Sequence, residues 1–188
     1  MVQSQENRRW KVMYLVSIYF DEKTDKIIRR YIDQVAEKTG NTFMTEGNVP
    51  PHITISAFET KRESAVVEKL EEAVSRINGG TLQWASVGVF LPYVIYLVPV
   101  LNEYLQFLSE VIYENISGVE NTIISQYYRP YQWLPHTTIG KKLSTEEMKK
   151  AFDVLQNSFG MFSGKVERIG LAKTNPYQEI FSWDILNE

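Results

Sequence analysis

Along this chain the apolar residues switch between the short period of a strand and the longer period of a helix, and the switching recurs to the end. Val12 to Phe20 is a nearly continuous apolar run, which predicts a buried strand. Ile27, Ile28, Tyr31, Ile32, Val35 and Ala36 then mark one face of a helix ending near Gly40. Residues 41–50 carry Asn, Thr, Gly and Pro, and predict a loop leading into the alternating strand His52-Ile53-Thr54-Ile55-Ser56. Val66, Val67, Leu70, Ala73, Val74 and Ile77 predict a second helix, followed by Gly79-Gly80 and strands at about 81–90 and 93–100. Leu101, Tyr104, Leu105, Leu108, Val111 and Ile112 predict a third helix. A loop over 126–135, a strand over 136–140, a fourth helix and two closing strands complete the pattern.

The pattern has an internal echo. Displaced by 84 residues without a gap, Pro51-His52 meets Pro135-His136, Thr54 meets Thr138 and Ile55 meets Ile139. Thr60 meets Ser144 and Glu63 meets Glu147, so each half is expected to start a helix with a reciprocal hydroxyl–glutamate cap. Gly80 meets Gly164, and Pro92-Tyr93 meets Pro176-Tyr177. The chain therefore predicts one bilobal domain over 1–188, built by duplication of an α+β unit, with motif-bearing repeats at about 51–93 and 135–177.

Composition narrows the chemistry. The 188 residues include no cysteine, which excludes a disulfide framework, a thiolate metal site and a cysteine nucleophile. Hydrophobic residues make up 44%, enough for a packed core. A net charge of -3 argues against binding long nucleic acid by bulk charge and leaves room for a short or small anionic ligand. Arg8, Arg9 and Lys11 before an apolar run outwardly resemble a signal peptide. Only Asp21-Glu22-Lys23 follows, with no small-residue cleavage site, so the run is expected to be a strand in a soluble, cytoplasmic protein, a monomer with no membrane contact.

His52 and His136 are the two histidines of the chain, and each has Pro before it and Thr two residues after. For independent positions at this composition the coincidence is on the order of one in a hundred thousand, although duplication would let the second copy be inherited. Residues two apart on a strand share a face, so His52 projects with Thr54 and His136 with Thr138, while Ile53, Ile55 and Ile139 turn inward. Across a pseudo-twofold cleft, two imidazoles and two hydroxyls would converge. That set suits a phosphodiester: hydroxyls hold nonbridging oxygens, one neutral imidazole accepts a proton and one imidazolium donates one.

Pro51-His52-Ile53-Thr54-Ile55-Ser56 and Pro135-His136-Thr137-Thr138-Ile139-Gly140 resemble the paired H-x-T/S signatures of the two-histidine (2H) phosphoesterases, which include the 2′-5′ RNA ligase-like proteins and the cyclic phosphodiesterases. The resemblance covers the whole chain in length, motif separation and strand–helix order. It implies two pseudo-symmetric α+β lobes, each with an antiparallel sheet and flanking helices, around a central cleft. The implied activity is opening of a 2′,3′-cyclic phosphate or related 2′-linked phosphodiester of RNA ends or small nucleotides, reversible as 2′-5′ ligation, with no metal and no cofactor. His52 and His136 match the catalytic positions, and Thr54 and Thr138 the phosphate-binding ones. Ser56 and Gly140 do not match each other and receive no role.

Several neighbours are candidates for base stacking or phosphate contact: Tyr131, Trp133 and Arg129, in a loop that also holds Tyr127 and Tyr128, and Lys141, which Lys142 follows. Ordinary packing and solvation compete with each of these readings. Tyr93 and Tyr177 match across the repeat, as a paired turn or core position would. Two other functions remain open from the sequence: a non-catalytic module binding phosphorylated RNA ends or nucleotides, and a metal-dependent hydrolase. Against the module, lysine or arginine would serve binding alone as well as histidine does. Against the hydrolase, no metal-ligand spacing surrounds either histidine.

Overall fold

A computed structural model describes residues 12–47, 49–174 and 176–185, so the basic cluster at Arg8, Arg9 and Lys11 lies outside the described residues. The elements run β1 (Tyr14–Phe20), α1 (Glu22–Thr39), α2 (Phe43–Glu46), β2 (His52–Thr60), α3 (Glu63–Val74), β3 (Thr81–Phe90), β4 (Val94–Pro99), α4 (Glu103–Ser117), β5 (Thr122–Ile124), a 3-10 turn (Gln126–Tyr128), β6 (Thr137–Gly140), α5 (Thr145–Ser158), β7 (Phe162–Lys173) and β8 (Gln178–Asp184). The strand-and-helix alternation expected from periodicity is present. Two short elements were not anticipated: α2, inside the expected loop 41–50, and β5.

Each long helix is explained by its residues. Asp21 caps α1 by accepting the Thr24 N–H at 2.8 Å, and Gly40 closes it in the left-handed conformation at φ 78°. Ile28, Tyr31, Ile32 and Val35 form its buried face, and α1 packs on α5 and β6. Leu105, Leu108, Ile112 and Ile116 do the same for α4, which packs on α3, β2 and β5. Full burial of each such side chain contributes about 1.5–3 kcal/mol. Ser144 and Glu147 form the expected reciprocal cap on α5. The matching cap on α3 does not form. Thr60 still belongs to β2, its hydroxyl meets Thr122 at 2.8 Å, and Glu63 turns instead to Lys173 and Tyr14.

All strand pairs are antiparallel, and the strands follow the order β5-β2-β1-β7-β3-β4-β6, with β8 joined to β7. This is an α+β fold whose two sheets share a strand. Phe162–Lys165 of β7 pair with β3, while Val166–Lys173 pair with β1. The motif strands β2 and β6 stand two and three places from β7, on opposite sides, yet they touch, so the sheet curls around a cleft.

At the seam Thr81 pairs with Lys165, a residue 84 positions later. Beside them lie two glycines in similar roles. A Cβ on Gly80 would stand 2.5 Å from the ring of Tyr104, in the first turn of α4. One on Gly164 would stand 2.2 Å from Oγ1 of Thr24, in the first turn of α1. Each glycine lets a strand admit a side chain from the start of a helix, a closeness no larger residue permits.

Candidate active site

His52 opens β2 and His136 immediately precedes β6. Ile53, Ile55 and Ile139 are fully buried in the core, which fixes the strand faces and turns the alternate residues toward the cleft. Thr137, on the inward side of β6, accepts a hydrogen bond from the Trp84 indole at 3.1 Å and is thereby excluded from the site.

The two imidazoles are held alike. His52 Nδ1 lies 2.8 Å from the Pro50 carbonyl and His136 Nδ1 lies 2.9 Å from the Leu134 carbonyl, each two residues back. A carbonyl only accepts, so each Nδ1 carries hydrogen and each Nε2 is left for chemistry. Burial pushes both histidines below their ordinary value; the charges of His136 and Lys141 push His52 further down, while the carbonyl contacts act the other way. Their surroundings differ. His136 meets Phe90 edge-on at 4.8 Å and Tyr96 at 5.3 Å, whereas His52 has Tyr19 tilted at 6.1 Å.

Two cavities flank the histidines. One, of about 390 Å³, is lined by His52, Thr138 and Lys141 together with Phe43, Met44, Glu46, Gly47 and Val49. The other, of about 440 Å³, is lined by His136, Phe90, Tyr127, Tyr128, Gln132 and Leu134. Thr138 is half-buried and opens into the first. Thr54 is buried, with its Oγ1 3.4 Å from Ser17 Oγ and the Tyr128 hydroxyl within hydrogen-bonding reach. Tyr128 thus links Thr54 of the first motif to the cavity of the second.

The structure brings His52, His136, Thr138 and Lys141 to the cavities and places Thr54 just beneath them. It does not bring the other sequence candidates. Trp133 lies in the hydrophobic core, so its ring is packed among apolar side chains rather than laid open for a base. Tyr131 is exposed and donates to the Glu110 carboxylate on α4. Arg129 is exposed at the end of the 3-10 turn, and none of these three lines either cavity. Lys142 is exposed, its Nζ 4.4 Å from the Phe43 ring centre. The matched tyrosines diverge: Tyr177 shares a 2.9 Å hydrogen bond with Tyr19, while Tyr93 is exposed beside the turn before β4. Sequence reasoning missed Phe43, Met44 and Glu46. Their one signal was an aromatic–thioether pair standing alone in an otherwise polar loop. Among the described residues no group of three or more His, Asp or Glu is arranged to hold a metal ion, and no helix is long and apolar enough to cross a membrane.

A family model described as the 2′-5′ RNA ligase superfamily matches residues 25–178. A protein of Bacillus anthracis strain A0248, named only as a candidate phosphoesterase, is 38% identical over 104 residues, covering 53% of this chain and 56% of that protein. One of Bacillus thuringiensis strain Al Hakam, named in the same way, is 36% identical over the same span. These alignments extend over about half the length of the curated relatives. Among solved structures, a crystal structure of a phosphoesterase superposes with a TM-score of 0.56 at 18% identity, covering 94% of this chain and 99% of that one. LigT of E. coli complexed with 3′-AMP gives 0.55 at 16%, covering 93% and 98%. At such identities the structural likeness is one of fold.

Proposed function

Because this chain belongs to the 2′-5′ RNA ligase superfamily, we propose that it is a two-histidine phosphodiesterase that opens 2′,3′-cyclic phosphates or related 2′-linked phosphodiesters of RNA ends or small nucleotides without a metal. The neutral imidazole of one histidine takes a proton at Nε2 from the attacking water as its oxygen bonds to phosphorus. The protonated imidazole of the other gives its Nε2 proton to the ribose oxygen as the phosphorus–oxygen bond to it breaks. Thr54 and Thr138 donate hydroxyl hydrogens to the nonbridging oxygens, offsetting charge that develops in the transition state. With the 5′-hydroxyl of a second ribose attacking in place of water and the 3′ oxygen leaving, the same steps form a 2′-5′ linkage.

The observation that carries this reading is the matched pair of imidazoles, each held with Nδ1 on the carbonyl two residues back and Nε2 free, beside the same cleft. The test is hydrolysis of the four nucleoside 2′,3′-cyclic phosphates in excess EDTA by wild type, His52→Ala and His136→Ala. Each substitution is expected to lower kcat/KM by about 10²–10⁴-fold, with the wild type indifferent to the chelator. Unchanged turnover in either variant, or turnover abolished by EDTA, overturns the mechanism. Nucleotide binding with no turnover by the wild type would point to the non-catalytic module.

We also propose that the chain is one bilobal domain that arose by duplication, with repeats at about 51–93 and 135–177. The pairing of Thr81 with Lys165 at the same 84-residue offset supports this, as do the parallel roles of Gly80 and Gly164.

A further inference from the structure

The cavity beside His52 carries groups of opposite sign in its lining. His52, Thr138 and Lys141 line it as hydrogen-bond donors or a cation. From α2 come the 40%-exposed ring of Phe43, the thioether of Met44 and the exposed carboxylate of Glu46. The Thr42 hydroxyl donates to Glu46 Oε1 at 2.7 Å and steadies the carboxylate. The Phe43 ring sits near the ammonium groups of Lys142 and Lys141, at 4.4 and 5.9 Å from its centre. Gly47 and Val49 complete the lining, and the volume of about 390 Å³ exceeds the roughly 300 Å³ at which small-molecule sites begin.

A phosphate is attracted to His52, Thr138 and Lys141 and repelled by the Glu46 carboxylate. A group seated against Glu46 must be neutral or cationic and must donate hydrogen bonds. We propose that this cavity is a nucleoside subsite: the phosphate lies against His52, Thr138 and Lys141, the base lies on Phe43 and Met44, and its N–H donors reach Glu46. The assignment rests on the phosphodiesterase reading above and adds a base preference to it. Guanine suits the carboxylate best, because its ring N–H and exocyclic amino group stand side by side and fit two oxygens at once. Uracil presents one N–H between two carbonyls, which a carboxylate repels. Phe43 contributes stacking, which every base accepts, so Phe43 sets affinity and Glu46 sets selectivity.

Calorimetric binding of 3′-GMP and 3′-IMP, which differ by the exocyclic amino group alone, tests this without requiring turnover. Wild type is expected to bind 3′-GMP about tenfold more tightly, the discrimination typical of one good paired contact. Glu46→Ala is expected to bring the two within about twofold, while Phe43→Leu weakens both by a similar factor of about tenfold. Both side chains are exposed, and circular dichroism checks that each variant keeps its fold. Equal binding of the two nucleotides by wild type, a ratio unchanged in Glu46→Ala, or no binding of either overturns the subsite. Selective binding lost in Glu46→Ala, with no hydrolysis of any cyclic phosphate, upholds the subsite and overturns the enzymatic reading instead. Hydrolysis that shows no base selectivity overturns the subsite alone.

Discussion

Thr54 and Thr138 hold the same place in their two motifs but not the same environment: Thr54 is buried beside Ser17 and Tyr128, whereas Thr138 faces open cavity. Thr138→Ala should therefore cost activity at little cost in stability. Thr54→Ala should cost both, lowering stability by about 1 kcal/mol through the lost buried hydroxyl contacts. Urea unfolding midpoints beside kcat/KM values separate the two effects. Equal stability losses would contradict the difference in burial.

With two histidines in the chain, imidazole NMR gives two titrating signals. Both should titrate below the ordinary value of about 6.5, because burial disfavours the charged form. The charge on His136 also depresses His52, so in His136→Ala the remaining signal should move upward. A downward or absent shift would mean that the two rings do not sense one another.

The same depression links stability to pH. Each folded-state value lies below its unfolded counterpart, so the stabilisation is present above about 6.5 and is lost as pH falls through the folded-state values. Wild type should lose stability across that window, and the double variant His52→Ala/His136→Ala should lose less. Chemical denaturation at a series of pH values checks the slope.

Space behind the seam is uneven. A methyl group at Gly164 would meet the Thr24 side chain, while one at Gly160 would meet nothing within 4 Å. Gly164→Ala should destabilise the fold by about 1–3 kcal/mol, as overpacking typically does. Gly160→Ala should be nearly neutral. Thermal unfolding of the two variants compares them directly.

How much of this was legible beforehand depended on whether a signal lay in neighbouring residues. The motif strands were readable because Ile53, Ile55 and Ile139 alternate with the site residues at the period of a strand. The cap on α5 was readable because Ser144 and Glu147 satisfy each other locally. Its counterpart at Thr60 was not, because Glu63 is drawn away by Lys173, more than a hundred positions on. Trp133 was misjudged for a similar reason: a loop aromatic reads as a stacking platform until the core it enters is known. The mismatch of Ser56 with Gly140 also has a tertiary cause. A Cβ on Gly140 would stand 2.8 Å from Ile95 and 3.2 Å from Val35 and Leu143, so the second motif has no room for a serine. The cavity wall on α2 escaped notice because a single turn of helix leaves almost no periodic trace.

The 12-residue strand β7 has one last consequence. Molecules that grip a ligand by swinging two halves together need a flexible connection between them, and here the halves are stitched to one rod, β3 at one end and β1 at the other. Widening the gap between His52 and His136 would tear a ladder of backbone hydrogen bonds rather than turn a joint. The distance between the two imidazoles is therefore a fixed gauge. On the proposed phosphodiesterase reading, adaptation to different substrates falls to the short α2 turn and to the segment carrying Tyr127 and Tyr128, so variation in what is bound should be sought there and not in the two histidines.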